Sequence, residues 1–399
     1  MSLKFGPEIL AIPGPSYFPD RVLNAMHKRA PNIYEGPLLD LTETIYPDLK
    51  HVACTKGEVA IYIGNGHAAW EASLANTVAQ GEEVLVLNTG RFAQGWGGVA
   101  KTLGISVTEI DFGLDQTIDL EHVSDALTAD KAHRFKAILV VQTDTASSVS
   151  NDIKALGEII RAANHPGLLM VDCMASLGTE EHRMDDWGVD VMIAGSQKGL
   201  MTPPGLCFVW FNDRAAAARA ELKTVSYYWD WVPRTSGEYY YQKFAGTAPT
   251  NHLYGLREAL DMIKEEGLEH IWARHQTLAT AVWVALEEWG KEGALWMNIK
   301  DKDVRSRAVT AVTAPNSLGR YLQDWCEEKM GVTLGIGLGM ADRLSPSIGD
   351  FFRIGHMGHV NAHMMMGTLG AIDAGMKASG VAHGKDALAK AAEILSKGT

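Results

Sequence analysis

A chain of 399 residues, 46% hydrophobic and 21% charged, has the apolar content to bury large cores in roughly two or three domains. Its formal net charge of -12, with no run of lysines or arginines, excludes the basic surface that a nucleic-acid partner requires. The N-terminus MSLKFGPEIL lacks the apolar core of a secretory signal, no apolar run approaches the ~18 residues of a membrane helix, and Cys54, Cys173, Cys207 and Cys326 form no CxxC pair, so a cytoplasmic protein with free thiols and no membrane contact is expected.

Residues 1–20 carry Pro7, Pro13, Gly14, Pro15 and Pro19, which rule out a regular helix and predict an extended arm. Further on, Gly64-Asn65-Gly66-His67-Ala68-Ala69-Trp70 leads into a helical pattern. Glycines at a helix start let backbone N–H groups approach an anion, and the helix dipole favours a phosphate there. Ala69 stands where a dinucleotide fingerprint has its third glycine, and no Lys-Ser/Thr follows, so neither the strict dinucleotide fingerprint nor the nucleotide P-loop is matched.

Short apolar runs at 83–88 (EVLVLN), 136–142 (KAILVVQ), 167–172 (GLLMVD), 190–194 (DVMIA) and 206–211 (LCFVWF) read as strands. Most are separated by helical patterns, such as 151–164 (NDIKALGEIIRAAN). Strands apolar on both faces that alternate with helices predict an α/β domain with a mainly parallel, helix-covered sheet. After about residue 250 come long helical patterns at 252–266 and 268–290, then a shorter α+β region from about 305. The expected organisation is an arm over 1–20, a large domain over 21–255 and a small C-terminal domain over 256–399.

Two side chains stand out on chemical grounds. Lys198, in Ala194-Gly195-Ser196-Gln197-Lys198-Gly199-Leu200, directly follows a predicted buried strand. Burial lowers a lysine's pKa and frees its amine to form an imine with an aldehyde, although a plain surface-loop lysine fits the spacing equally well. Asp172 ends the strand LLMVD, on the edge where open parallel sheets bind ligands. A pyridine nitrogen needs such a carboxylate to stay protonated; a helix N-cap is the plainer alternative.

A phosphate turn, a strand-ending aspartate and then Gly-Ser-Gln-Lys in this order resemble the class V aminotransferases of fold type I, in particular the serine–glyoxylate and alanine–glyoxylate aminotransferases. Ile12-Pro13-Gly14-Pro15, the segment 183–190 (RMDDWGVD), Pro203-Pro204-Gly205-Leu206, 253–260 (LYGLREAL) and 352–358 (FRIGHMG) extend the likeness over nearly the whole chain. The resemblance implies pyridoxal 5'-phosphate carried as a Schiff base on Lys198, which also moves the proton between substrate and cofactor. It implies Asp172 at the pyridine nitrogen. Asn65, Gly66 and His67 would form the phosphate turn, with Gln197 a further phosphate contact. Trp96 would stack on the ring, Thr145 would lie near the phenolic oxygen, and Thr247 would reach the phosphate from the neighbouring subunit of a homodimer. Arg353 would clamp the substrate carboxylate, a task suited to a planar bidentate donor. The implied reaction is ping-pong transfer of an amino group from a small L-amino acid, serine or alanine with aspartate a further candidate, to glyoxylate or a similar 2-oxo acid.

Several segments depart from the family pattern. Ser147-Ser148 replaces Thr-Gly in the loop that would border the substrate side chain, which leaves the donor open. Phe244 stands where some relatives have a phosphate-binding tyrosine, with Tyr239, Tyr240 and Tyr241 out of register. The aromatic segment 227–231 (YYWDW) reads as an active-site wall or a subunit contact. His356, His359 and His363 have spacings that could suit a metal, but Gly355 and Gly358 interrupt the pattern and Arg353 sits beside it, so no metal is expected. The segment 335–339 (GIGLG) reads as a turn near the small-domain sheet. The alternative reactions are a lyase or a desulfurase on the same scaffold. A desulfurase would need a mobile cysteine, and Cys326 lies in a helical pattern.

Overall fold

A computed structural model describes residues 3–398. Its strands are β1 (Ile9–Ala11), β2 (Glu58–Gly64), β3 (Glu83–Asn88), β4 (Ser106–Asp111), β5 (Phe135–Val141), β6 (Thr143–Asp144), β7 (Val149–Ser150), β8 (Leu168–Asp172), β9 (Val191–Gly195), β10 (Gly205–Phe211), β11 (Trp296–Met297), β12 (Val309–Thr313), β13 (Val332–Ile336) and β14 (Phe351–Gly355).

Seven strands form one sheet in the order β2-β10-β9-β8-β5-β3-β4. The pairs β9–β8, β8–β5, β5–β3 and β3–β4 are parallel, and only β10 runs against its neighbours. Every residue of β8 and β9 is buried, because helices cover both faces. That double burial explains the unbroken apolar runs, since strands with a wet face would alternate. Val141, Asp172 and Ile193 lie abreast in the register, so the loops after β5, β8 and β9 leave the sheet along one edge.

The helix Thr250–Glu266 packs in the core beside this sheet against the helices Asp20–Met26 and Pro37–Val52 and stops at Gly267, whose φ of +84° ends it and opens the next helix, Leu268–Trp289. Leu268 and Ile271 belong to the first core; from Leu278 onward the same helix packs on a second core. That core lies against a five-stranded sheet, β1-β13-β14-β12-β11. The arm therefore has a defined place. Its strand β1 pairs in parallel with β13, and Ala11 is buried in the second core. Among the described residues no helix is long and apolar enough to cross a membrane.

Candidate active site

The edge formed by the C-terminal ends of β2, β3, β5, β8 and β9 opens into a cavity where Asp172 and Lys198 meet. Asp172 closes β8 and is 2% exposed. Its carboxylate accepts hydrogen bonds from Trp70 Nε1 at 2.6 Å and from the Met174 amide at 2.6 Å. Burial pushes its pKa up to about 6; the two donors and the nearby Lys198 charge oppose the rise, while Asp144 adds to it. Lys198 stands three residues beyond β9. Burial, helped by the charge of Arg353, pulls its amine down to about 8, with Asp172 pulling the other way.

The arm touches this lysine. Lys198 Nζ donates to the carbonyl of Pro13, and Ser16 binds the Lys198 carbonyl through Oγ at 2.8 Å. Glycine at position 14 suits this contact on two counts. Its φ is +115°, and a Cβ would overlap the lysine amine. His275, on the long connecting helix, secures the opposite side of this segment. Its Nδ1 donates to the Ile271 carbonyl at 2.7 Å and its Nε2 accepts the Gly358 amide at 3.1 Å. Burial holds that ring neutral, with a pKa near 3.

At the other end of the cavity, Asn65 caps the helix Gly66–Ala75 by accepting from the His67 amide, and Asn65, Gly66 and His67 all line the wall. Gln197 reaches the same wall, and its buried Oε1 has no hydrogen-bond partner. Thr145 and Thr143, in the turn after β5, complete it.

Four expected site residues lie elsewhere. Trp96 is fully buried and does not line the cavity; it stacks behind Trp70, with ring centroids 6.4 Å apart and planes 14° from parallel. The aromatic that does line the wall is Phe92, one helical turn earlier, with His67 and Trp70 beside it. Ser147 and Ser148 do not border the cavity either. Ser147 Oγ donates to the Thr89 carbonyl at 3.0 Å, and Ser148 Oγ accepts the Ala311 amide at 3.1 Å, so both tie the turn to its surroundings. Thr247 is exposed and outside the cavity of its own chain.

Arg353, on β14, lies behind the cavity wall, 5% exposed. Its Nε donates to the Ile336 carbonyl at 2.6 Å and its Nη1 to the Thr145 carbonyl at 2.8 Å. Burial lowers its pKa to about 10, against the pull of Asp144.

The remaining segments find structural places. Trp231 stacks on Phe211 at 4.0 Å, Trp229 Nε1 donates to Glu71, and neither lines the cavity. Phe244 is buried edge-on to Tyr240. Cys326 is buried in the second core. His356 is held by the Arg307 carbonyl and Thr310, while His359 faces Tyr17; among the described residues no group of His, Cys, Asp or Glu is placed to hold a metal.

A buried lysine and a strand-ending aspartate facing one cavity, with a capped helix start beside them, define a pyridoxal-phosphate site on an open α/β sheet. Comparison with known proteins agrees. The family model for class V aminotransferases matches residues 61–349. The serine–glyoxylate aminotransferase of Methylorubrum extorquens is 34% identical over 93% of this chain and 92% of its own. The L-aspartate–glyoxylate aminotransferase of Paracoccus denitrificans is 30% identical over 89% of this chain and 87% of its own. The crystal structure of alanine–glyoxylate aminotransferase from Nostoc sp. superposes with a TM-score of 0.83 at 29% identity, covering 94% of this chain and 96% of that one. The chain belongs to the class V aminotransferases, pyridoxal-phosphate-dependent transaminases of fold type I. The cavity fits the cofactor chemically, offering an amine, a carboxylate, a helix start and the unpartnered amide oxygen of Gln197.

Proposed function

We propose that the protein moves the amino group of a small L-amino acid to glyoxylate or a similar 2-oxo acid, in two half-reactions with ping-pong kinetics. The observation that carries this reading is that Lys198 and Asp172 face a single cavity, with Arg353 within electrostatic reach of the lysine.

Bound pyridoxal phosphate supplies an electron sink for the substrate's Cα–H bond. Lys198 is the covalent anchor and then the proton carrier; with a pKa of about 8, its amine is neutral in an appreciable fraction of molecules at neutral pH. Asp172, oriented by Trp70 and Met174, presents its carboxylate to the ring nitrogen. Asn65, Gly66, His67 and Gln197 hold the phosphate end, Thr145 the phenolic side, and Phe92 takes the ring-facing place first assigned to Trp96. Arg353 binds the substrate carboxylate, the group common to donor and acceptor.

The working unit is a homodimer in the cytoplasm. Thr247, exposed and remote from its own cavity, serves the phosphate of the other copy. Exposed Ile63, Tyr227, Tyr239 and Tyr241 supply apolar surface for that contact. Serine, aspartate and alanine are the donors named for the relatives, and glyoxylate is the acceptor shared by all three.

The test is a panel of serine, alanine and aspartate against glyoxylate and pyruvate, followed through the visible absorbance of the bound cofactor. At least one donor should bleach the band and glyoxylate should restore it. A band unchanged by every donor refutes the proposed substrates. Lys198→Ala should abolish the covalent attachment, so that borohydride no longer fixes the cofactor to the chain.

A further inference from the structure

Asp144 is fully buried in the short strand β6, beside the cavity but not in its lining. One oxygen accepts the Phe92 amide at 2.7 Å and the other the Ala146 amide at 2.8 Å. Phe92 is the second residue of the helix Arg91–Thr102, whose N-cap is Gly90 and so has no side chain of its own to satisfy the first amides. Asp144 does so from another strand. The two ends of this carboxylate therefore lead to different walls. Through Phe92 it fixes the aromatic face. Through the turn 144–146 it fixes the Thr145 carbonyl, which receives Arg353. It is also the carboxylate whose charge offsets the desolvation of Arg353, and no carboxylate pairs directly with that guanidinium among the described residues.

We infer that Asp144 is a positioning residue that sets the ring-facing aromatic Phe92 and the carboxylate clamp Arg353 in register with each other. The inference rests on the transaminase reading for its substrate half and on cofactor binding alone for its aromatic half. Gly90 supports it independently. The backbone there has φ of 160°, which any residue adopts, yet a Cβ would lie 2.4–2.7 Å from the Asp144 carboxyl atoms. Glycine is needed at position 90 to admit the carboxylate, not to make the turn.

Asp144→Asn keeps the side chain's size while replacing one acceptor with an amide donor, so one of the two N–H groups loses its partner. The expected signature is a rise of about tenfold in the KM for glyoxylate with kcat changed much less, together with altered visible circular dichroism of the bound pyridoxal phosphate. A KM that falls would show that the charge merely competes with substrate for Arg353, and an unchanged KM and dichroism would show a cap and nothing more; either overturns the inference. A wild-type enzyme that transaminates beside such an unchanged variant would leave the functional reading standing. If no wild-type turnover is seen, that reading fails, and the dichroism still decides the aromatic half. Should Asp144→Asn not fold, Gly90→Ala, which displaces the same carboxylate without removing it, must give the same pair of changes.

Discussion

Lys198 carries its proton at a cost, and the cost has a pH signature. Its pKa falls from an ordinary 10.5 to about 8 in the folded chain. The folded state thus disfavours the charged form: the penalty is fully present below pH 8 and disappears as pH rises towards 10.5. For cofactor-free protein, stability relative to Lys198→Met should improve by about 3 kcal/mol across that window, measured by urea denaturation at a series of pH values. A parallel pH dependence for the two proteins would contradict the assigned shift. The aromatic wall gives a second test. Phe92→Ala should loosen cofactor binding, whereas Trp96→Phe, which removes an Nε1 that has no partner, should leave the cofactor spectrum unchanged. The sequence singles out Lys198 and Asp172 because one follows and the other ends an apolar run, and Asn65, Gly66 and His67 because they open a helical pattern; Thr145 and Gln197 come only from the family resemblance. It cannot separate Phe92 from Trp96. Residues four apart share a helix face, and only the depth of Trp70 between the cavity and the core tells which ring meets solvent. Asp144 is equally illegible, since the partner that ties it to the aromatic wall, the Phe92 amide, is 52 residues away in sequence.

Among the elements, the helix Gly66–Ala75 shows how local chemistry and ligand binding share one device. Asn65 satisfies the His67 amide at 3.1 Å with its own side chain. Asn65→Ala should cost about 1 kcal/mol in stability of the cofactor-free chain, and should further weaken retention of pyridoxal phosphate during dialysis. Equal cofactor retention by variant and wild type would remove Asn65 from the phosphate end. Five strands of the large sheet, β3, β5, β8, β9 and β10, follow from their apolar runs to within a few residues, as does the helix Ile153–Ala162 with Asp152 as its cap, whereas β2 and β4 do not stand out as such runs. The change of core along Leu268–Trp289 does not follow either. The helix is continuous and apolar on both sides of the crossing, so no break in composition marks where it passes from one sheet to the other.

At the scale of the whole molecule, Glu180 joins the β6–β7 hairpin to the segment that leads into β12. It is 2% exposed and accepts from Thr143 at 2.9 Å and Ser150 at 2.7 Å on one side, and from Ser306 at 2.9 Å and the Arg307 amide at 3.0 Å on the other. Glu180→Ala would strand all four donors. A loss of roughly 3–5 kcal/mol is expected in chemical denaturation, and a loss under 1 kcal/mol would mean that water replaces the carboxylate.

The parallel pairing of β1 with β13 has a consequence for biosynthesis. Residues 9–13 leave the ribosome among the first, but the strand that receives them, Val332–Ile336, emerges more than three hundred residues later. Until then the carbonyl of Pro13 has no route to Lys198, and the nascent enzyme holds a reactive amine without its cover.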